Sequence, residues 1–356
     1  MPRERSAAFA PGRVNLIGEH TDYNEGLALP FAIAEGITVR AQARAPSGGE
    51  ERVEAYASDL GEQDEFSLRD PSRKGGWRAF VRGSVAVLGN AGFPLCAACL
   101  EFAGDVPQGA GLSSSAALEV ALSLTLLDLG AEPGTGTPLQ RVERTELARL
   151  CSRVERDWVG ARTGLLDQLA SLYGTGDAAL CIDFKSLRVE AVPLRLGAWK
   201  LVVLDSGERH SHASSGYNER REECARACEL LGVRSLRDAD AAAARRLPEP
   251  LRRRVEHVIG ENRRVLEAVD ALRADDLPAI GELLGASHES LRENYEISTP
   301  AVEATVSRLL DAGAAGARLV GGGFGGSVLA LFAPGIEPPA GAREVRPSPG
   351  ARMLEE

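Results

Sequence analysis

The stretch Gly104–Ala117, GDVPQGAGLSSSAA, constrains this chain more than any other, because a glycine-rich loop there runs straight into a helix. Gly109 and Gly111 permit tight, positive-φ turns and close backbone approach. Ala117, Val120, Ala121, Leu124 and Leu127 share one face, which predicts a helix to about Leu129. Its free N–H groups and the positive end of its dipole, roughly half an elementary charge, face the loop and make an anion site without any lysine. An ordinary helix cap uses one serine, whereas Ser113, Ser114 and Ser115 stand in a row. Three hydroxyls suit phosphate oxygens, with one left to enter a Mg²⁺ shell.

A second segment, Pro11–Tyr23 (PGRVNLIGEHTDY), gathers one arginine, two carboxylates, a histidine and a tyrosine around a hinge at Gly18. Val14, Leu16 and Ile17 predict a buried strand, with Glu19, His20, Asp22 and Tyr23 grouped where it ends. Carboxylates so placed accept hydrogen bonds from vicinal hydroxyls, so the group fits a polyhydroxylated ligand. Downstream, Asp167 lies among leucines in ARTGLLDQLASLYG, where a carboxylate can orient or deprotonate an acceptor hydroxyl. Glu155, on the preceding predicted helix (Thr145 to Val159), is a second acidic group within reach of a metal.

With 356 residues, the chain has length enough for two domains. Its net charge of −10 argues against nucleic acid or an anionic membrane as the main partner. Only Lys74, Lys185 and Lys200 are lysines and none follows a glycine-rich loop, so a Walker-type phosphate loop is excluded. The N-terminus has no apolar signal region and no stretch reads as membrane-spanning, so a cytoplasmic protein is expected; no protein partner is implied. Cys96–Cys99 and Cys224–Cys228 read as structural thiols, not as zinc or redox pairs. Strands are expected over Gly26–Arg44, Val53–Leu68 (as a hairpin), Leu95–Phe102, Leu180–Phe184 and Lys200–Leu204. Helices are expected over Trp77–Leu88, Asn218–Leu231 and, in pieces, Arg237–Ser307. Arg318–Leu331 reads as strand, glycine loop and strand.

Taken together, these segments resemble the galactokinases, within the GHMP family of small-molecule kinases, over almost the whole chain. GRVNLIGEHTDY resembles the galactokinase signature, VPQGAGLSSSAALEV the family's phosphate loop, and GLLDQ the segment with the catalytic aspartate. SGERHSHASSGYNERREEC, SHESLRENYEIS and LVGGGFGGSVLALF are similar to later segments of the family. The resemblance implies an α+β, two-domain GHMP kinase fold. A ribosomal-S5-like N-terminal domain would cover residues 1–190 and a ferredoxin-like C-terminal domain residues 191–356, with the active site between them. It implies ATP, Mg²⁺ and a small-molecule sugar substrate, with phosphorylation of the C1 hydroxyl of galactose. Arg13 and Asp167 would be the catalytic pair, and Glu19, His20, Asp22, Gly164 and Tyr217 would hold the sugar. Gly109, Gly111, Ser113, Ser114 and Ser115 would take the phosphates, Ser115 and Glu155 would bind Mg²⁺, and Trp77 would wall the adenine pocket. A kinase for a related sugar (N-acetylgalactosamine or a pentose) and a non-catalytic sugar and ATP sensor are the alternatives. Intact Ser115–Ala116 and Asp167 favour catalysis over sensing. The sequence departs from the family in a short lead before the first motif, and in a proline-rich loop, APGIEPPAGA, where a C-terminal helix is expected. Leu166 and Ser327 also stand where methionine and cysteine are common.

Overall fold

The computed structural model describes residues 3–45, 49–106, 111–208 and 213–355; the expected phosphate contact Gly109 lies outside them. A six-stranded sheet runs in the order Arg352–Met353, Arg5–Asn15, Pro30–Ala43, Ala98–Gly104, Arg52–Ala57, Glu62–Ser67. All its neighbours are antiparallel except Arg52–Ala57 with Ala98–Gly104, whose crossover is spanned by Trp77–Asn90. The expected Val53–Leu68 hairpin is present as the pair Arg52–Ala57 and Glu62–Ser67.

Behind this sheet lies the helix Ser114–Leu129. The sequence predicts a single buried face, but the helix is enclosed along almost its whole length. The sheet on one side and the helices Trp77–Asn90, Arg144–Val154 and Leu166–Tyr173 on the other leave it no wet face, and its surplus of Ala and Leu allows this. Its N-terminus is thereby held by the core and aimed at the site.

Two further differences bear on function. The expected helix to Val159 is α-helical only from Arg144 to Val154, and Glu155–Val159 forms a π-helical turn that stops at Gly160. Such a widened turn swings the following side chains off the regular helical track, and here it begins at Glu155. A strand at Arg188–Pro193, absent from the sequence reading, pairs with Ala178–Asp183 and through it with Leu27–Ala28.

The second half of the chain builds a four-stranded antiparallel sheet, ordered Gly316–Leu319, Ser327–Phe332, Lys200–Asp205, Arg343–Glu344. Helices Leu277–Glu293 and Pro300–Asp311 pack on it, Leu251–Arg273 packs on Leu277–Glu293, and Ala213–Leu231 packs on Leu251–Arg273. The chain then returns to the first sheet: Gly350 N–H donates to the Gly174 carbonyl (2.8 Å), Ala351 N–H donates to Ser171 (2.8 Å), and Arg352 pairs with Phe9. This crossing ties both halves together around the cleft that holds the motifs. Among the described residues no helix is long and apolar enough to cross a membrane.

Candidate active site

Arg13 leaves its strand at a register irregularity between Pro11 and Arg13, where the ladder with Pro30–Ala43 is broken. Arg13 is only 6% exposed, and its guanidinium forms an ion pair with Asp167: Nε and Nη2 each lie 2.7 Å from Oδ1. Its Nη1 donates to the Gly111 carbonyl at 2.6 Å. One buried cation thus joins the carboxylate to the glycine-serine loop. The other oxygen of Asp167 accepts from the Ser113 hydroxyl at 2.5 Å. Ser113, expected on a phosphate, therefore orients the carboxylate, and it does so from the left-handed region (φ +60°) at the helix cap. A non-glycine residue held there costs of order 1–3 kcal/mol, which a packed surrounding must offset.

Asp167 stands at the end of a cavity of about 130 Å³ whose walls include Arg13, Glu19, His20, Asp22, Gly164 and Tyr217. The residues named from sequence for the sugar, Glu19, His20, Asp22, Gly164 and Tyr217, thus lie together beside the pair named as catalytic. A Cβ at Gly164 would sit 1.9 Å from Asp22 Oδ2 and force that carboxylate to move. Glu19 Oε1 forms an ion pair with Arg318 (3.0 Å) and accepts from Gly321 N–H (2.8 Å), which anchors the second glycine loop on the sugar segment.

His20 also has φ +60° and its ring nitrogens are both engaged, Nδ1 with the Tyr23 hydroxyl (2.7 Å) and Nε2 with the Gly322 carbonyl (3.2 Å). Burial, reinforced by His257, pulls its pKa down to about 3, so the ring is neutral. A carbonyl only accepts, hence Nε2 carries the hydrogen and Nδ1 accepts from Tyr23. Tyr23 in turn accepts from Tyr295 (2.9 Å), and Tyr295 from the Cys224 thiol (3.1 Å). The imidazole is thus a fixed wall of the cavity, tilted against Tyr217 with centroids 5.0 Å apart.

Asp22 lies under opposing influences. Burial, aided by the charges of Asp167 and Glu19, outweighs the Tyr23 N–H it accepts and pushes its pKa up to about 6. Below that pH the carboxyl is protonated and has lost acceptor capacity for sugar hydroxyls. The expected outcome is that kcat/KM for the sugar rises with pH through about 6, and that Asp22→Asn removes this inflection from the profile.

Across the Arg13–Asp167 pair, a second cavity of about 600 Å³ opens beside Ser114 and Ser115. Trp77, Ile37, Leu60, Phe102 and Val106 supply its apolar walls, as suits a flat heterocycle. The Trp77 ring meets Phe102 edge-on at 5.3 Å while its N–H donates to Glu62 at 2.8 Å. Ser115 donates to Glu155 Oε1 at 3.0 Å, and the other oxygen of Glu155 accepts from Thr163 and from Gln168 (3.2 Å). Burial first, and then the nearby charge of Asp167, raises the pKa of Glu155; buried Glu119, bonded to the same Gln168 (3.1 Å), is raised further.

Sequence reasoning missed the residues that hold the sugar segment from behind. Glu261, fully buried on Leu251–Arg273, accepts from Gly18 N–H (3.0 Å), Glu19 N–H (3.4 Å) and the Ser287 hydroxyl (2.7 Å), and pairs with Arg264 (2.7 Å). Next to it Asn262 accepts from Leu27 N–H (2.8 Å), and His257 bonds the Glu19 carbonyl (3.1 Å). Burial acts to raise Glu261, but Arg264, His257 and Arg318 overcome it and hold it at about 2. Glu261→Ala is expected to cost about 3 kcal/mol in denaturant unfolding, because it strands Arg264 and two backbone donors. Glu261→Gln keeps an acceptor for those donors; it should raise the sugar KM about tenfold and leave the ATP KM unmoved.

Known proteins resemble both the fold and this site. The model of the GHMP kinases N terminal domain matches residues 79–175, and that of the GHMP kinases C terminal matches residues 268–350. The galactokinase galactose-binding signature matches residues 2–43. A galactokinase of Roseiflexus sp. is 43% identical over 333 residues, covering 90% of this chain and 82% of the relative. A galactokinase of Mycobacterium tuberculosis is 43% identical over 332 residues, covering 90% and 87%. The crystal structure of Lactococcus lactis galactokinase complexed with galactose superposes with a TM-score of 0.89 at 31% identity, covering 99% of this chain and 96% of that one. This chain belongs to the galactokinase family, within the GHMP kinases. It is an ATP-dependent sugar kinase with the α+β fold of that family.

Proposed function

We propose that the chain transfers the γ-phosphoryl group of ATP to the C1 hydroxyl of galactose, giving galactose 1-phosphate and ADP. The observation that carries this reading is the Arg13–Asp167 pair, set between a cavity lined with carboxylates and a serine-capped helix N-terminus. Asp167 orients the C1 hydroxyl and takes its proton as the O1–P bond forms and the bond to the β-phosphate oxygen breaks. Arg13 stabilises the aspartate and the charge that spreads over the transferring group, since positioning and electrostatics are most of what phosphoryl transfer requires. Glu19, Asp22 and Tyr217 face the sugar, His20 and Gly164 shape its walls, Trp77 faces the adenine, and Gly111 with Ser114 and Ser115 faces the phosphates. Gly109, outside the described residues, belongs to the same loop.

The residues present suit Mg²⁺. Ser115 and Glu155, bonded to each other at 3.0 Å, supply a hydroxyl and one carboxylate, as an ion also held by phosphates needs, and Arg13 is taken up by Asp167. Bound there, Mg²⁺ would offset phosphate charge. Ser115→Ala is expected to raise the Mg²⁺ concentration giving half-maximal rate severalfold; an unchanged metal dependence would remove this serine from the shell.

We read residues 1–190 and 191–356 as the two domains of the family, with the tail from Ser348 lying on the first. We also read the protein as cytoplasmic, acting without nucleic acid, membrane or protein partner. The test of function is ADP release with ATP and Mg²⁺ against galactose, glucose, N-acetylgalactosamine, galacturonate, arabinose and 2-deoxygalactose. Galactose leading by a wide margin is expected, and another sugar leading would move the substrate.

A further inference from the structure

Outside the sugar cavity, sharing the wall of Asp22, Thr163 and Gly164 with it, lies a separate hollow of about 480 Å³. Five arginines converge on it from three elements: Arg149, Arg153 and Arg156 along the Arg144–Val154 helix and the turn after it, Arg162 in the following loop, and Arg221 on Ala213–Leu231. Arg149 and Arg153 stand one helical turn apart, and the wider turn that begins at Glu155 carries Arg156 to the same hollow. Among the described residues of its lining the only carboxylate is Asp22. Arg149 and Arg156 have exposed partners in Glu146 (3.5 Å) and Asp157 (2.8 Å), and Arg221 donates to the Arg162 carbonyl (2.5 Å) and lies over the Tyr23 ring (5.6 Å). Arg153 and Arg162 have no ion pair or side-chain hydrogen bond among the described residues.

In a chain of net charge −10, five arginines set against Asp22, Glu146 and Asp157 still leave an excess of positive charge around this one hollow. Guanidinium forks bond phosphate oxygens in pairs, and Leu165, Phe184 and Leu187 give the hollow an apolar side that accepts a short carbon body. We propose that this hollow binds a small phosphate monoester, apart from the triphosphate site and against the back of the sugar pocket. Arg221 couples the two. Its charge acts on Asp22 in the shared wall, and an ester that draws it outward weakens the sugar site. The coupling rests on the sugar-kinase reading; the binding does not.

The test is calorimetric titration of the full chain with β-glycerophosphate, with galactose and a non-hydrolysable ATP analogue already filling their sites. The isotherms of those two ligands, taken first, report on the kinase reading separately. Binding should persist in the filled protein, and the Arg153→Ala/Arg162→Ala variant should weaken it about tenfold or more while its own galactose KM stays unchanged. Inorganic phosphate titrated alongside identifies whether the phosphate group alone suffices or the ester body adds affinity; either supports the site. Absence of heat in the filled protein, or equal affinity in the double variant, would overturn the proposal. At constant ionic strength the ester should also raise the galactose KM of the native protein and not of the variant; an equal effect on both would overturn the coupling.

Discussion

Asp167→Asn is expected to lower kcat by about 10³-fold, within the range that a positioned acid–base group contributes, and to leave galactose affinity within about threefold. Asparagine keeps the size of the side chain and one carbonyl oxygen that can still accept from Arg13 or Ser113, so the cavity wall survives. It loses the charge that orients the hydroxyl and receives its proton, and it turns an acceptor into an N–H₂ donor facing either the Ser113 hydroxyl or the Arg13 guanidinium. Sugar binding by calorimetry and single-turnover rate separate the two quantities. Near-native turnover in the variant would remove Asp167 from the chemistry.

Arg13→Ala is the second large effect, a fall in kcat of about 10²–10³-fold, the scale for removing one preorganised electrostatic contact. Here the loss has two parts. Asp167 loses its buried counter-charge, and the Gly111 carbonyl loses the donor that ties the loop to the carboxylate. Arg13→Lys restores a charge without the fork that reaches both partners, so it should recover part of the rate and leave loop placement impaired. A lysine variant as poor as the alanine would mean that the bridge to Gly111 matters more than the charge. A melting curve for each variant distinguishes these outcomes from simple unfolding.

How far the chain could be read beforehand depended on the kind of signal. Strands with clean alternation and the long helices were legible because burial imposes a period on the sequence. The Arg188–Pro193 strand was not, since its side chains are mostly wet and its one buried residue, Val192, falls on the same face as Arg188 and Glu190. The π-turn at Glu155 leaves no mark in residue type, because ERDWV has ordinary helical composition. Ser113 is a harder case. Three consecutive serines specify an anion-facing helix start but not which hydroxyl turns back to a carboxylate 54 positions later.

The pairing of Arg13 with Asp167 spans 154 positions and was reached through resemblance rather than through any local pattern. Glu261 was invisible for a physical reason. Within GENRR, charged neighbours read as a solvated helix face, and only the packed fold shows that this carboxylate turns inward to two backbone N–H groups. Arg318 carried the one signal that could have been used, an isolated arginine inside the apolar strand that leads to the glycine loop. A charge in such a run needs a buried partner, and here Glu19 is that partner.

The most direct test of the central claim is where the phosphate goes. Product formed from galactose, ATP and Mg²⁺ should be examined by phosphorus and proton magnetic resonance. If Asp167 addresses the C1 hydroxyl, the phosphorus couples to the anomeric proton and galactose 1-phosphate is the product. Phosphate on the C6 oxygen, coupled to the methylene protons, would contradict the placement of the sugar between Asp22, Tyr217 and Asp167.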